Sequence, residues 1–289
     1  MADDTIAKYD KLLDRLSAFD SVLVAYSGGV DSTLLAVAAH VVHGPKCLAV
    51  LANSDTYPDS EVKYARKVAT ELGLRLHEVE TNELVDPQFR ANGTDRCYHC
   101  KTELFSLLRT VADHRGLSVV LDGSNHDDRV DFRPGSRAAA EYGVISPLAE
   151  VGLTKDDIRS IAAMLGLPNW DKPSMACLAS RFPYGETINE DRLRQVANAE
   201  TALRDLGFRQ FRVRAHGDVA RVEFEPAEMD DAWRQRTNVA DAVKAAGFAF
   251  AAADLDGYRT GSLNETLDAE QLVGGVVALQ QGQVLVDLP

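Results

Sequence analysis

Cysteine is scarce, basic charge is in deficit, and long hydrophobic runs are missing. Only 4 of the 289 residues are cysteine (Cys47, Cys97, Cys100 and Cys177), too few for a disulfide framework, so any that matter should act as thiolates. The longest uncharged stretches, Ser32 to Pro45 and Gln271 to Val286, fall short of a bilayer's thickness, and Gly and Gln interrupt the second. The opening Met-Ala-Asp-Asp-Thr has neither the basic start nor the apolar run of a signal peptide, which gives a cytoplasmic expectation. Lys and Arg number 31 against 44 Asp and Glu, a net charge of −13, so the chain repels polyanions on average and general nucleic-acid binding is excluded. Any small anion must be held by a local basic site. Repeats and low-complexity tracts are also absent.

What remains is ample for folding: 45% apolar residues over a length that, at about 150 residues per domain, predicts two domains. Short apolar runs at 21–26, 46–53, 75–80 and 119–121 alternate with helical patterns to about His43, over 59–72, and from near Cys97. That alternation predicts an α/β fold with a doubly wound parallel sheet. Thr154 is a candidate cap for a further helix, and Pro168, Pro173 and Pro183 mark extended chain and turns. A boundary near Gly185 divides the chain into 1–185 and a smaller α+β domain, 186–289. The second part reads as a helix over 189–206, strands at 211–215 and 220–224, a helix near 239–246, and a strand at 248–252.

The richest motif is Ser27-Gly-Gly-Val-Asp-Ser32, between the first strand and the first helix. Open N–H groups and the helix dipole attract an anion there, and Gly28 and Gly29 let the backbone approach it. Ser27 and Ser32 add hydroxyl donors, while Asp31 beside phosphate calls for a metal such as Mg²⁺. No Lys follows the last Gly, so this is not a Walker A loop. The segment resembles the signature of the PP-loop ATP pyrophosphatase family, whose members cleave ATP between the α and β phosphates and adenylylate a substrate oxygen. Asp122-Gly-Ser-Asn-His-Asp-Asp128, with Gly123, is similar to the family's second ligand-binding loop; taken alone it is equally good turn chemistry.

A narrower likeness lies in Lys172-Pro-Ser-Met-Ala-Cys-Leu-Ala-Ser-Arg-Phe-Pro-Tyr-Gly185, which resembles the Cys-Leu-Ala-Ser-Arg signature of the LarE family of ATP-dependent sulfur transferases. It extends through Asp131-Phe-Arg-Pro-Gly135, Ser146-Pro-Leu148, Phe211-Arg-Val-Arg214, Ala220-Arg-Val-Glu223 and Gly257-Tyr-Arg-Thr-Gly-Ser262. Without it, Cys177 beside Met175, Ala176 and Leu178 reads equally as a buried apolar residue. The resemblance implies ATP and pyridinium-3,5-biscarboxylic acid mononucleotide as substrates, a role in nickel-pincer cofactor synthesis, and a hexameric or trimer-based homo-oligomer. It implies attack by the Cys177 thiolate on an acyl-adenylate, with sulfur released from the side chain afterwards. Cys97-Tyr-His-Cys100 adds two thiols, and a three-cysteine branch of the family implies a [4Fe-4S] cluster on Cys97, Cys100 and Cys177 as the alternative sulfur source. C-x-x-C alone is equally compatible with zinc, a redox dithiol or an unligated pair. Cys47, inside an apolar strand, reads as packing.

An acidic chain that handles anions must concentrate its cations. Arg212 and Arg214 alternate on a strand and share a face, suited to gripping a phosphate, although two arginines on a solvated edge look the same in sequence. Lys101, Ser180 and Arg181 lie in family-like segments and complete the expected substrate pocket, with Arg181 also able to lower the Cys177 pKa. Glu200, Glu223 and Asp231 are acidic positions in the same likeness, suited to binding a metal or orienting the arginines; Glu223 and Asp231 are the candidates, with Asp31, for a metal, each otherwise a surface charge. Rival readings are another PP-loop thiolase or amide-forming ligase, and a binding protein that senses a nucleotide or cluster.

Overall fold

The computed structural model describes residues 2–129, 134–259 and 261–267. In the first part, α1 (Ala2–Ser17) precedes β1 (Val22–Tyr26), α2 (Val30–His43), β2 (Cys47–Asn53), α3 (Asp59–Glu71) and β3 (Leu76–Glu80). A short α4 (Pro87–Arg90) and the long α5 (Arg96–Arg115) lead to β4 (Val119–Leu121), followed by α6 (Gly135–Glu141), α7 (Pro147–Glu150) and α8 (Lys155–Met164). The strands pair in the order β3-β2-β1-β4, all parallel, with Val24 opposite Ala49 on one side and Leu121 on the other. Alternation along the strands gives each face its own core. Val22, Val24 and Tyr26 pack with Leu34, Leu35 and Ile158, while Leu23, Leu48 and Val50 pack with Phe105, Leu108 and Ala138. Helices therefore cover both faces, as the sequence pattern predicts. Chain order reverses at β1, so the crevice at the carboxyl ends of β1 and β4 is where such a sheet binds ligands.

The second part runs α9 (Glu190–Asp205), β5 (Phe211–His216), β6 (Val219–Phe224), α10 (Met229–Arg234), α11 (Arg236–Ala245) and β7 (Phe250–Ala253). β5 and β6 form an antiparallel hairpin, and β7 lies parallel to β6. Leu193, Val196 and Leu203 of α9 and Val243 of α11 fill its core, which also takes in Phe89, Leu178 and Phe182. Cys100 and Cys177 pack against the edge of this cluster. The last strand begins two residues later than expected, because Phe248 is buried in the core and the Ala249 and Phe250 N–H groups both donate to the Asp218 carbonyl. Helices α1, α4, α6, α7 and α10 are additions to the sequence reading. The 271–286 stretch, residues 131–133 and Thr260 lie outside the described residues. Among the described residues no helix is long and apolar enough to cross a membrane.

Gly28 controls the approach of α3 to the loop after β1. Its φ is +72°, and a Cβ there would fall 2.5 Å from the Ala65 Cβ. Both conditions exclude a side chain. Replacing Gly28 with Ala is expected to destabilise the protein by about 2 kcal/mol or more, read as a lower urea midpoint at unchanged slope.

Candidate active site

The loop after β1 is built from its own hydroxyls. The Ser27 N–H donates to Ser32 Oγ at 3.2 Å, the two serine Oγ atoms lie 3.0 Å apart, and Ser32 Oγ donates to the Gly29 carbonyl at 3.2 Å. Gly29 caps α2 with no side-chain hydrogen bond, leaving first-turn N–H groups directed at the loop. The second loop closes on the first: a Cβ on Gly123 would lie 3.0 Å from the Ser32 nitrogen. From below, the fully buried Asn169 donates to the Gly28 carbonyl at 3.0 Å and to Thr33 Oγ1 at 2.9 Å. The Asp31 carboxylate accepts from Lys155 Nζ and, at 3.3 Å, from Asn125 Nδ2. These residues line a cleft of about 380 Å³, whose far wall is Lys172, Pro173, Ser174 and Met175. Lys101, Lys155 and Lys172 put three ammonium groups into an otherwise acidic molecule. Lys155 and Lys172 pair with Asp31 and Glu61, whereas Lys101 has no carboxylate partner among the described residues.

The far wall continues into Cys177. The Leu178 N–H donates to the Thr56 carbonyl at 2.8 Å, which ties this segment to the turn after β2, and a 3-10 turn over Leu178–Arg181 follows. Cys97 and Cys100 sit in the first turn of α5, Cys97 exposed and Cys100, like Cys177, half-buried. Burial pushes the Cys177 thiol up, opposed chiefly by the charge on Arg96, and burial raises Cys100 well above the ordinary thiol range. Arg96 is 4% exposed and donates to Asn92 Oδ1, to the Ala179 carbonyl at 2.9 Å and towards Cys97 Sγ at 3.9 Å. Burial works against its charge, but Cys97 and Cys177 facing it hold its pKa up. Tyr57 and Glu83 complete this group: Glu83 Oε1 lies 3.8 Å from Cys100 Sγ, and Tyr57 feels the charge of all three cysteines.

Behind the thiols lies an arginine cluster. Arg181 is fully buried, with Nε donating to Glu200 at 2.7 Å, Nη1 to the Ala176 and Cys177 carbonyls and Ser180 Oγ, and Nη2 to Glu200 and Met175 Sδ. Arg214 pairs with Glu223 at 2.9 Å and donates to the Ser180 carbonyl at 2.7 Å. Arg212 differs from both: it donates only to the Phe211 and Ser174 carbonyls, at 2.7 and 2.6 Å, and lies over the Tyr258 ring. Burial, then the charges of Arg181 and Arg214, bring its pKa down to about 10. Among the described residues Arg212 forms no ion pair, which makes this buried guanidinium the one of the three without a carboxylate partner.

The asparagine synthase family model matches residues 10–125, the strand-loop-helix half that carries the cleft. The chain is 42% identical to the uncharacterised protein slr1717 of Synechocystis, over 90% of this chain and 98% of that one. It is 39% identical to the pyridinium-3,5-bisthiocarboxylic acid mononucleotide synthase of Lactiplantibacillus plantarum, over 90% of this chain and 95% of that protein. The chain belongs to the LarE family. It is an ATP-dependent sulfur transferase of the PP-loop superfamily. A glutamine-hydrolysing GMP synthase chain of Methanococcus maripaludis is more distant, 29% identical over 51% of this chain and 50% of that one.

Within this LarE-family fold the expected residues separate into groups. Ser27, Gly29, Asp31, Ser32, Gly123 and Lys101 meet at the cleft, with Gly28 behind it against Ala65; Cys97, Cys100 and Cys177 all act electrostatically on Tyr57, and Cys97 and Cys177 on Arg96. Two expectations need correction. Every guanidinium nitrogen of Arg181 already has a protein partner, so it braces the Cys177 loop and Glu200 and offers no donor to a ligand. Glu223 is fully buried with both oxygens on Arg214 and Ser262, and Asp231 holds Arg234 and Gln235. Among the described residues no three His, Cys, Asp or Glu side chains converge on one ion, so a joint metal site of Asp31, Glu223 and Asp231 is not formed. Sequence reasoning missed Arg96, Tyr57, Glu83, Asn169, Lys155, Lys172 and Arg204, which acquire meaning only from the fold.

Glu200 holds Arg181 and Arg204 and also accepts the Val213 N–H at 3.2 Å, joining α9, the Cys177 loop and β5. Burial pushes its pKa up, but the charge and hydrogen bond of Arg181, then Arg212 and Arg204, more than offset this and hold it below the ordinary value. Glu200→Gln is expected to cost about 3 kcal/mol or more at neutral pH, because it leaves Arg181 buried without a counter-charge. With a lowered folded pKa, the carboxylate stabilises the fold above the unfolded value of about 4.3, and this contribution is lost as pH falls through the folded value. Urea titrations across that range should show the wild-type advantage shrinking with acidity.

Proposed function

We propose that the enzyme converts a carboxylate of pyridinium-3,5-biscarboxylic acid mononucleotide to the thiocarboxylate, the chemistry for which its Lactiplantibacillus plantarum relative is named. One observation carries this reading: the wall Lys172 to Met175 of the nucleotide cleft runs directly into Cys177 and is fastened at Ser174 by Arg212. Nucleotide, sulfur and anion sites are therefore contiguous along one short segment.

ATP in the cleft meets the Ser27 to Ser32 loop and the N-terminus of α2, with Lys101, Lys155 and Lys172 offsetting phosphate charge. Mg²⁺ is usually held by one or two carboxylates plus the phosphates themselves, and Asp31 at the cleft fits that role. A substrate carboxylate attacks the α-phosphorus, pyrophosphate leaves, and an acyl-adenylate forms. Arg212, supported by Arg214, takes the substrate phosphate. Attack by the Cys177 thiolate then expels AMP and leaves a thioester; loss of the Cys177 Cα proton to solvent, with its bonding pair forming the Cα=Cβ bond, breaks the Cβ–S bond and releases the thiocarboxylate with dehydroalanine in the chain.

Among the described residues the three thiols do not converge on one ion, so a shared iron–sulfur group would have to draw them together; their chemistry is what supports it. They are soft donors on two segments joined by Arg96, whose fixed positive charge balances thiolates that burial alone disfavours. Cys97, Cys100 and Cys177 would hold a [4Fe-4S] cluster, which when bound supplies an exchangeable sulfide and spares the side chain. A hexameric or trimer-based homo-oligomer and a cytoplasmic location belong to the same proposal.

Pyrophosphate and AMP are expected from ATP only when the pyridinium biscarboxylate is present, and Cys177→Ala should make no thiocarboxylate; a variant that still made it would remove Cys177 from the sulfur centre. The mass of the protein after reaction separates the two sulfur sources. Loss of one H₂S equivalent at Cys177 means sacrifice, whereas unchanged mass over several turnovers means cluster-based transfer. After anaerobic reconstitution with iron and sulfide, Cys97→Ala/Cys100→Ala should hold far less iron than wild type, and equal iron content refutes the cluster.

A further inference from the structure

Tyr57 is the residue that the two sites share. It lines the nucleotide cleft together with Ser27, Lys101 and Met175, and it follows Thr56, whose carbonyl is bonded to the residue after Cys177. Its backbone is fixed. The Tyr57 N–H donates to the Ser54 carbonyl at 3.1 Å, Ser54 Oγ lies 2.8 Å from Thr56 Oγ1, and Ser54 Oγ donates to the buried Glu83 at 2.5 Å. The Thr56 carbonyl accepts the Leu178 N–H at 2.8 Å, so Tyr57 and Cys177 flank one hydrogen bond between two chain segments. This clamp holds the phenol beside the sulfur centre whatever occupies the cleft. Among the described residues the Tyr57 hydroxyl has no hydrogen-bond partner, and it has no role in the fold that its oxygen performs.

Resting on the acyl-adenylate reading above, we propose that Tyr57 is a catalytic residue of the sulfur-transfer step, donating its phenolic hydrogen bond to the carbonyl oxygen of the activated acyl group as sulfur attacks. In that step the C–S bond forms and the carbonyl π pair moves onto oxygen. When the carbonyl reforms, the C–O bond to the AMP phosphate breaks, AMP leaves with that electron pair, and the thiol proton passes to solvent. Tyr57 keeps its proton throughout. The carbonyl oxygen passes through the same negative charge whichever sulfur attacks, so the donor serves either source. A donor aimed where charge develops in a water-poor site is among the largest contributions a side chain makes to catalysis.

The alternatives nearby are already committed. Glu83 is an acceptor for Ser54 and Thr81, and Arg96 is fastened to Asn92 and Ala179. Lys101 lies over the Phe105 ring at 5.3 Å, and as an ammonium in the nucleotide cleft it is taken up by phosphate charge. An ordinary phenol, with a pKa of about 10, is protonated at neutral pH, so Tyr57 can donate.

The test is Tyr57→Phe, which removes one oxygen from the holoenzyme. Substrate-dependent exchange of pyrophosphate into ATP reads adenylylation, and single-turnover thiocarboxylate formation reads transfer. Exchange is expected to stay within about twofold of wild type with an unchanged KM for ATP, while transfer falls about 100-fold and acyl-adenylate accumulates in quenched samples. The thermal midpoint should not move, since the hydroxyl bonds nothing in the fold; a large drop would make it a structural group and overturn the proposal. Transfer at the wild-type rate, or exchange and transfer falling together, also overturns it. Absence of exchange in the wild type strikes instead at the acyl-adenylate reading, so the two failures are distinguishable.

Discussion

The buried pair of Arg181 and Glu200 is the constraint on which the site depends. Neither side chain reaches solvent, and between them they bond to the Cys177 loop, to Arg204 of α9 and to the Val213 N–H of β5. A pair of this kind gains little stability over apolar packing, because desolvating two charges costs nearly what their attraction returns. Its effect is on position. An apolar replacement could fill the volume but could not hold the Ala176 and Cys177 carbonyls, and the Cys177 segment would lose its fixed direction.

The same logic resolves the conflict between a net charge of −13 and substrates that are anions. Arg181, Arg204, Arg212 and Arg214 gather around Glu200 and Glu223, with Arg221 sharing Glu223. Arg212 is left with carbonyl partners alone. Charge within the cluster is thus unbalanced at one defined atom group, while the acidic exterior keeps larger polyanions away.

Features carried by neighbouring residues were legible in the sequence. Ser27 to Ser32 had to be a strand-to-helix loop because Gly28, Asp31 and the apolar runs on both sides leave few other conformations, and the order of alternating elements fixed the parallel sheet. α1 was legible in principle, since Tyr9, Leu12, Leu13 and Leu16 repeat at helical spacing and pack into the first core. Arg181 could not be read correctly, because proximity to Cys177 along the chain suggested a free cation and only the fold brings Glu200 to it. For Glu223 the sequence left a metal and an arginine as alternative partners, and the fold decides for the arginine, because Arg214 sits nine residues away across a hairpin. Arg96 and Tyr57 carry no motif: Arg96 gains its place from the distant Ala179 carbonyl, and Tyr57 from the neighbouring Thr56, whose carbonyl takes the Leu178 N–H.

The segment from Lys172 to Cys177 has no regular secondary structure, yet chemistry there demands placement to a fraction of an ångström. Regular elements obtain such precision from repeating backbone hydrogen bonds. This segment obtains it from side chains of both halves: Lys172 on Glu61, Arg212 on the Ser174 carbonyl, Arg181 on the Ala176 carbonyl, and the Thr56 carbonyl on the Leu178 N–H. An irregular strip held at four points can present its carbonyls and its thiol towards a ligand, which a helix or strand would direct into its own ladder. The arginines therefore scaffold the Cys177 segment, and in the proposed function they also serve as the cations of an anion site. Losing Arg212 should weaken substrate binding and slow transfer together, whereas losing Tyr57 Oη should affect transfer alone.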